Sequence, residues 1–117
     1  MTIRFLAAAS AALLTLAGAS AASAGLYAPR PATVRVTAKD FSYVLSTKTV
    51  RHGRVMFVIK NAGRTTHDFA IAGHTSKMVA PGKTATLTVT LKRGHVSYRC
   101  TVDSHANLGM KGVLNVT

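Results

Sequence analysis

Four residues of the chain carry side chains suited to a soft metal ion, and three of them are close together. Cys100, His105 and Met110 are each separated by four residues, and His67 lies upstream of them. A thiolate, two imidazoles and a thioether form the donor set in which two histidines and a cysteine bind copper in a plane while a methionine binds weakly on the axis. Sulfur favours Cu(I) and nitrogen favours Cu(II), so this mixture suits a metal that changes oxidation state with little movement.

Each of these residues has a simpler interpretation when it is taken alone. Cys100 is the single cysteine, which excludes an internal disulfide and any site that needs two thiolates. A lone cysteine is most often a small buried apolar residue, and a lone methionine is usually packing. His105 alone would usually be a solvent-exposed loop histidine, and His67 alone could be an inert, hydrogen-bonded core histidine. The spacing favours ligand roles for Cys100, His105 and His67, whereas Met110 as the axial ligand depends most on the complete set.

The first 24 residues have the pattern of a secretory signal peptide. Arg4 gives a positive start, residues 5–17 are mostly apolar, and Ala22-Ser23-Ala24 supplies the small residues of a cleavage site. A retained membrane anchor is the alternative, but the apolar stretch is short for a bilayer span. We predict cleavage near Ala24, with Ala19-Ser20-Ala21 as a second candidate site, and hence a periplasmic or secreted protein.

The remaining chain is predicted to form one all-β domain. Residues 25–31 contain two prolines and are predicted to form an extended segment that leads into a domain over residues 32–117. Apolar residues alternate with polar ones most clearly in residues 84–91, where every second residue is threonine. About seven or eight short strands separated by turns, without helical periodicity, predict a mostly antiparallel Greek-key β-sandwich. The one long connection, residues 101–111, carries His105 and Met110, and functional residues concentrate in such loops.

Two segments carry a resemblance to a known family. Residues 98–112, with the sequence YRCTVDSHANLGMKG, resemble the copper loop of the plastocyanin/azurin (cupredoxin) family. Residues 61–69, NAGRTTHDF, look like the segment that bears the first histidine of that family, and Pro81-Gly82-Lys83 is similar to small bacterial members. The resemblance covers residues 32–117 and implies a Greek-key sandwich with one type 1 copper, held by His67, Cys100, His105 and Met110, and a role in electron transfer.

Three polar residues are candidates for supporting these ligands from outside the metal. Asp68 follows His67 directly, and relatives use a polar residue there to join the two ligand loops. We expect Asp68 to bond to Thr101 or to a nearby backbone amide, although an ordinary exposed aspartate explains the sequence equally well. Asn61 has a similar supporting role or simply forms a turn.

One position departs from the family pattern. Many relatives carry Pro-Gly just before the loop histidine, where this chain has Asp103-Ser104. A carboxylate near the metal favours Cu(II), so we expect Asp103 to lower the reduction potential.

Small and apolar residues around the loop histidine predict a surface through which electrons pass by way of His105. The predicted docking patch consists of Ala62, Pro81, Ala106, Leu108 and Gly109. Scattered apolar residues are common on protein surfaces, which is the simpler interpretation.

The charge of the chain narrows the class of partner. The net charge is +12, and it falls to +11 when Arg4 leaves with the signal peptide. The basic residues are spread along the chain without a run, whereas nucleic-acid binding normally uses a clustered patch. We therefore expect that the protein does not bind nucleic acid.

The positive charge predicts an acidic partner instead. We predict a monomer that binds a redox protein with an acidic docking surface, such as a c-type cytochrome or a copper-containing oxidase or reductase. The simpler interpretation of the charge is solubility, or peripheral contact with an anionic membrane.

Several other functions fit parts of the pattern. A periplasmic copper chaperone or copper-resistance module would bind copper without redox cycling, but such sites tend to be open and rich in Met and His. A relative of multicopper enzymes would need further copper centres, and no second ligand set is present, so we expect no enzymatic activity. An adhesive sandwich domain that binds no metal is a further alternative, but it would not explain the spacing of the four candidate ligands.

Overall fold

The computed structural model describes residues 30–117, together with the isolated positions Thr2 and Ala12. The predicted signal peptide over residues 1–24 and most of the segment over residues 25–31 lie outside the described residues, so cleavage near Ala24 stays a prediction. Within the described part, no helix has the length and apolar character needed to cross a bilayer.

Residues 32–117 form nine strands and one short 3-10 helix. The strands are β1 Ala32–Lys39, β2 Ser42–Leu45, β3 Thr49–Val50, β4 Gly53–Asn61, β5 Ala70–Ile71, β6 His74–Thr75, β7 Thr84–Leu91, β8 Gly94–Arg99 and β9 Lys111–Val116. The 3-10 helix is His105–Leu108, within the long loop between β8 and β9.

The strands form two sheets, which confirms the predicted all-β sandwich. One sheet has the order β2-β1-β4-β7 and the other the order β3-β9-β8-β5-β6. The chain passes repeatedly between the sheets, as Greek-key connections do. Five of the seven strand pairs in the described residues are antiparallel, and β1–β4 and β3–β9 are parallel. The strand count exceeds the prediction because three strands, β3, β5 and β6, have only two residues each.

The core lies between the sheets, where the alternating residues of the long strands meet. In β4, Val55, Phe57 and Ile59 are fully buried, while Met56 and Val58 between them are half-buried. A period of two places every second side chain on one face of a strand, so this pattern points one apolar face of β4 inward. The same alternation buries Val34, Val36 and Ala38 of β1, and Leu114 and Val116 of β9.

The strand directions bring the candidate ligands to one end of the sandwich. Strands β1, β4 and β8 run toward this end, and β7 and β9 start from it. We call it the ligand end, and it comprises residues 40–41, 61–69, 79–83 and 100–110. The opposite end, called the far end, comprises residues 46–54, 92–95 and 117, where the backbone N–H of His52 donates to the Thr117 carbonyl.

Candidate metal centre

Three of the four predicted ligands bring their donor atoms together at the ligand end. His67 Nδ1 lies 3.2 Å from His105 Nδ1, which lies 3.7 Å from Cys100 Sγ. The three donor atoms are within 4.8 Å of one another. Their residues are buried, and only His105, at 8% exposure, has an edge near the surface. The cluster is therefore a compact, buried set of two imidazoles and one thiol.

The loop after β8 positions Cys100, His105 and Met110 through its own backbone. The Cys100 N–H donates to the Met110 carbonyl over 3.0 Å, and the Met110 N–H donates to the His105 carbonyl over 3.2 Å. These bonds fold the loop back so that its first and last residues are adjacent. Met110 is fully buried there, and its role as the axial ligand stays a prediction.

His67 is positioned by a different kind of structure. The sequence predicts that an inward-facing strand starts at His67, but the regular strand β5 begins only at Ala70. His67 instead forms an isolated bridge, in which it exchanges backbone hydrogen bonds with Val79. The buried Asn61 side chain fixes this bridge, because its Nδ2 donates over 2.8 Å to both the Thr65 and the Val79 carbonyls.

Asp40 contacts the histidine from the other side, and sequence reasoning missed it. Its Oδ1 accepts a hydrogen bond from His67 Nε2 at 2.7 Å, on the ring atom that faces away from the cluster. The backbone N–H of Arg64 above all, with His67 and the Thr65 hydroxyl, holds the pKa of Asp40 well below its ordinary value, although desolvation opposes this. The one feature of the sequence that could have drawn attention to Asp40 is that the chain has just three acidic residues.

Asp68 joins the two ligand segments. It is 1% exposed, so it is not an ordinary surface aspartate. One carboxylate oxygen accepts the Thr101 backbone N–H over 2.7 Å, and the other accepts the Thr101 hydroxyl. A residue beside His67 is thereby tied to a residue beside Cys100, which is the contact that the sequence offered as one of its two alternatives.

Two aromatic residues, one in the turn between β1 and β2 and one in β2, cover this arrangement, and neither contact was predicted from the sequence. The Phe41 ring lies 4.7 Å from the His105 ring and 6.1 Å from the His67 ring, measured between centroids. The Tyr43 hydroxyl donates to the Asp68 carbonyl. Burial above all, with the nearby Cys100 and Asp68, raises the pKa of Tyr43 well above its ordinary value of 10.

The Asp103-Ser104 pair has a backbone that the proline of relatives would not adopt. Asp103 has φ of 44°, in the left-handed region that aspartate tolerates. Proline locks φ near −65°. The departure from the family pattern is therefore also a departure in backbone conformation, and the expected effect of Asp103 on the potential stays a prediction.

The residues present fit one copper ion per chain. The buried donors are one thiol and two imidazole nitrogens, which match the trigonal set of copper sites. The carboxylate on His67 Nε2 leaves Nδ1 as the nitrogen that faces the metal position, and metal-binding histidines commonly have such a partner. When copper is bound, His67, Cys100 and His105 would hold it.

Comparisons with known proteins agree with this architecture. The sequence model of the cupredoxin-like domain matches residues 6–116. No curated protein sequence matches the chain.

Several solved structures share the fold. Dithionite-reduced auracyanin from Roseiflexus castenholzii has a TM-score of 0.64 and 19% identity, over 76% of this chain and 99% of that one. Auracyanin A, a blue copper protein from Chloroflexus aurantiacus, has a TM-score of 0.62 and 18% identity, over 75% and 100%. Auracyanin B has a TM-score of 0.63 and 18% identity, over 78% and 93%. At these identities the likeness shows the fold alone.

Proposed function

Since the chain belongs to the cupredoxin-like family, we propose that it is an exported protein that carries single electrons through one type 1 copper. The ligands in this proposal are His67, Cys100, His105 and Met110. The observation that supports it best is the buried cluster of one thiol and two imidazole Nδ1 atoms, because this donor mixture serves a metal that alternates between Cu(I) and Cu(II).

The mechanism depends on how little the donors move. Bound copper supplies a one-electron couple, and the chain supplies a rigid, dry setting for it. The Asp68–Thr101 bonds hold the two ligand segments at a fixed separation, and Asn61 fixes the bridge that carries His67. Donors fixed in this way cost little reorganisation when charge changes at the site.

We propose that electrons pass between the copper and the partner through His105. This residue begins the 3-10 helix, and Leu108 at the end of the same helix is 60% exposed. The other residues of the predicted docking patch, Ala62, Pro81, Ala106 and Gly109, are exposed or half-buried. An apolar surface beside the ligand nearest to solvent would let a partner approach closely and exclude water.

The charges around the ligand end suit an acidic redox partner, such as a c-type cytochrome or a copper-containing oxidase or reductase. Exposed basic residues surround this end: Lys39, Lys60, Arg64, Lys83, Arg99 and Lys111.

The far end is also basic, and it has no acidic residue among those described. The basic residues at the far end and just before β1 are Arg30, Lys48, Arg51, Arg54, Lys92 and Arg93. The far end could thus rest on an anionic membrane while a monomer presents its copper to a periplasmic or extracellular partner.

Electron exchange kinetics test the docking patch. Leu108→Asp should slow electron self-exchange between the Cu(I) and Cu(II) forms of the protein without changing the visible spectrum, because the charge must be desolvated on contact. Val44→Asp is the matched control, since Val44 is similarly exposed, at 53%, but lies on β2. Equal rates for Leu108→Asp and the native protein would contradict the patch.

Copper retention during redox cycling separates the carrier from a copper-handling module. The carrier keeps its metal through repeated reduction by ascorbate and oxidation by ferricyanide. Loss of copper to a Cu(I) chelator at each reduction would contradict the proposal and favour a chaperone or resistance protein. Rates with an acidic partner should fall as salt is added, because screening removes the charge steering.

A further inference from the structure

Asp40 reaches the candidate copper site from outside both ligand segments. It follows the last residue of β1, in the turn to β2, and its carboxylate contacts His67 on the ring atom opposite Nδ1. We propose that Asp40 is a positioning residue that fixes the orientation and tautomer of His67 and makes its Nδ1 a stronger donor for Cu(II). This inference rests on the proposed copper site and deepens it.

The hydrogen-bond pattern determines what Asp40 does to the ring. An ionised carboxylate only accepts hydrogen bonds, so the 2.7 Å contact requires a proton on His67 Nε2. In the neutral ring Nδ1 then carries the lone pair, and Nδ1 is the atom that faces His105 and the cluster. A carboxylate behind a ligating histidine also raises the basicity of the ligating nitrogen.

Asp40 is itself held in place by several groups. Its Oδ2 accepts the Arg64 backbone N–H over 2.8 Å, and its Oδ1 also accepts the Thr65 hydroxyl over 2.9 Å. The side chain is only 24% exposed, and the ring of the following residue, Phe41, packs on His105. One turn between strands thus reaches both histidines of the site.

Gly63 provides the space that the Asp40–His67 pair occupies. A Cβ at this position would overlap Asp40 Oδ1 and would lie 3.1 Å from His67 Nε2. Because the overlapping atom is the end of a side chain, an added methyl group would push the carboxylate away from the ring. Gly63→Ala therefore disturbs the contact while it leaves the charge of Asp40 unchanged.

A simpler role for Asp40 is to cap the turn over residues 63–65, and the two roles predict different results. A capping residue affects the stability of the metal-free protein but not the tautomer of His67 or the affinity for copper. A positioning residue changes the tautomer and affects Cu(II) binding more than Cu(I) binding, because the negative charge favours the more positive ion.

The first test measures the tautomer in the metal-free protein by ¹⁵N NMR of the histidine rings. The native protein should have His67 protonated on Nε2, and this measurement needs no variant. Asp40→Ala should mix the tautomers, whereas Asp103→Asn, which removes another carboxylate from the ligand end, should leave His67 as it was. A native His67 protonated on Nδ1 would overturn the proposal.

The second test measures copper affinity and reduction potential. Asp40→Asn should weaken Cu(II) binding by roughly 10- to 100-fold, the range for partners of metal-binding histidines. For a one-electron couple, each tenfold loss specific to Cu(II) raises the potential by about 59 mV. Gly63→Ala should shift the potential in the same direction. A shift for Asp40→Asn no larger than that for Asp103→Asn would reduce Asp40 to a generic nearby charge and overturn the proposal.

These outcomes separate the inference from the proposed function. If the native protein gives no blue copper spectrum, the proposed function fails and the tautomer measurement still decides the role of Asp40. If the native protein is blue but Asp40→Ala changes neither the tautomer nor the potential, the positioning role alone fails. Should the Asp40 variants not fold, the native tautomer and Gly63→Ala still give the answer.

Discussion

The two segments that carry the candidate ligands are built in opposite ways. The loop over residues 100–110 is closed by its own backbone hydrogen bonds. The Cys100 N–H donates to the Met110 carbonyl, and the Met110 N–H donates to the His105 carbonyl. The first-histidine segment, residues 61–69, depends in addition on groups from elsewhere, namely Asp40 before β2 and Val79 before β7. One half of the site is therefore local, and the other half depends on tertiary structure.

This difference indicates which part of the site is more sensitive to substitution. A substitution within the loop acts on a structure that largely supports itself. A substitution among the supports of His67 loosens a ligand that has no regular strand to hold it, since β5 starts only after Phe69. Asp68 links the two segments, so replacing Asp68 should cause the largest loss of folding stability.

Asp68→Ala should lower the free energy of unfolding of the metal-free protein by about 3 kcal/mol, because two bonds to a buried carboxylate are lost and the Thr101 N–H loses its partner. Urea denaturation measures this. Thr101→Val, which removes only the hydroxyl bond, should cost less. A loss below about 0.5 kcal/mol for Asp68→Ala, the range of ordinary surface substitutions, would contradict the link.

Asn61→Ala should cost about 2 kcal/mol, since the fully buried amide donates to two carbonyls and accepts the Gly63 N–H. The matched change in the loop is Asn107→Ala, at an exposed position, which should stay within about 0.5 kcal/mol. Equal costs for the two variants would contradict the role of Asn61 in fixing the first-histidine segment.

Tyr43→Phe should cost about 1 kcal/mol at neutral pH, because it removes one hydrogen bond to the Asp68 carbonyl. It should also change the response to alkali. Burial raises the pKa of Tyr43 above 10, so the unfolded chain loses this proton first as the pH rises and the native protein loses stability above pH 10.

Denaturation at neutral pH and above pH 10 measures both parts of this prediction. The variant should lose less stability in alkali than the native protein. Tyr98→Phe is the comparison for tyrosine ionisation in general, because burial raises the pKa of Tyr98 as well, whereas the hydrogen bond to the Asp68 carbonyl comes from Tyr43. An alkaline loss as steep in Tyr43→Phe as in the native protein would contradict the assignment.

Met110→Leu should have only a small effect on stability, below about 1.5 kcal/mol, because the two side chains have similar volume and the site is apolar and buried. If Met110 is an axial ligand, the variant should remain blue with a changed potential, since the axial ligand tunes it. An unchanged potential would limit Met110 to packing.

The same contrast explains what could be predicted from the sequence. The alternation in residues 84–91 predicts a strand of the sandwich directly, because such a strand has one buried face and one exposed face. The spacing of Cys100, His105 and Met110 indicates a metal site because these ligands share one loop. Asp40 and Phe41 could not be found in this way, since their contacts with His67 and His105 depend on how β1 and β2 lie beside the ligand segments. The bridge at His67 was predicted as a strand because its alternation looks regular over residues 67–71, and only the pairing with Val79 shows the difference.

The most direct test of the account is the spectrum of the purified protein after Cu(II) is added, recorded in visible light and by electron spin resonance. A type 1 site at His67, Cys100 and His105 should give an intense blue thiolate-to-copper band with small hyperfine splitting, at one copper per chain, and the band should be lost completely in Cys100→Ser. A pale spectrum with ordinary Cu(II) splitting, or a blue band that survives in Cys100→Ser, would contradict the claim that His67, Cys100 and His105 form a type 1 copper site.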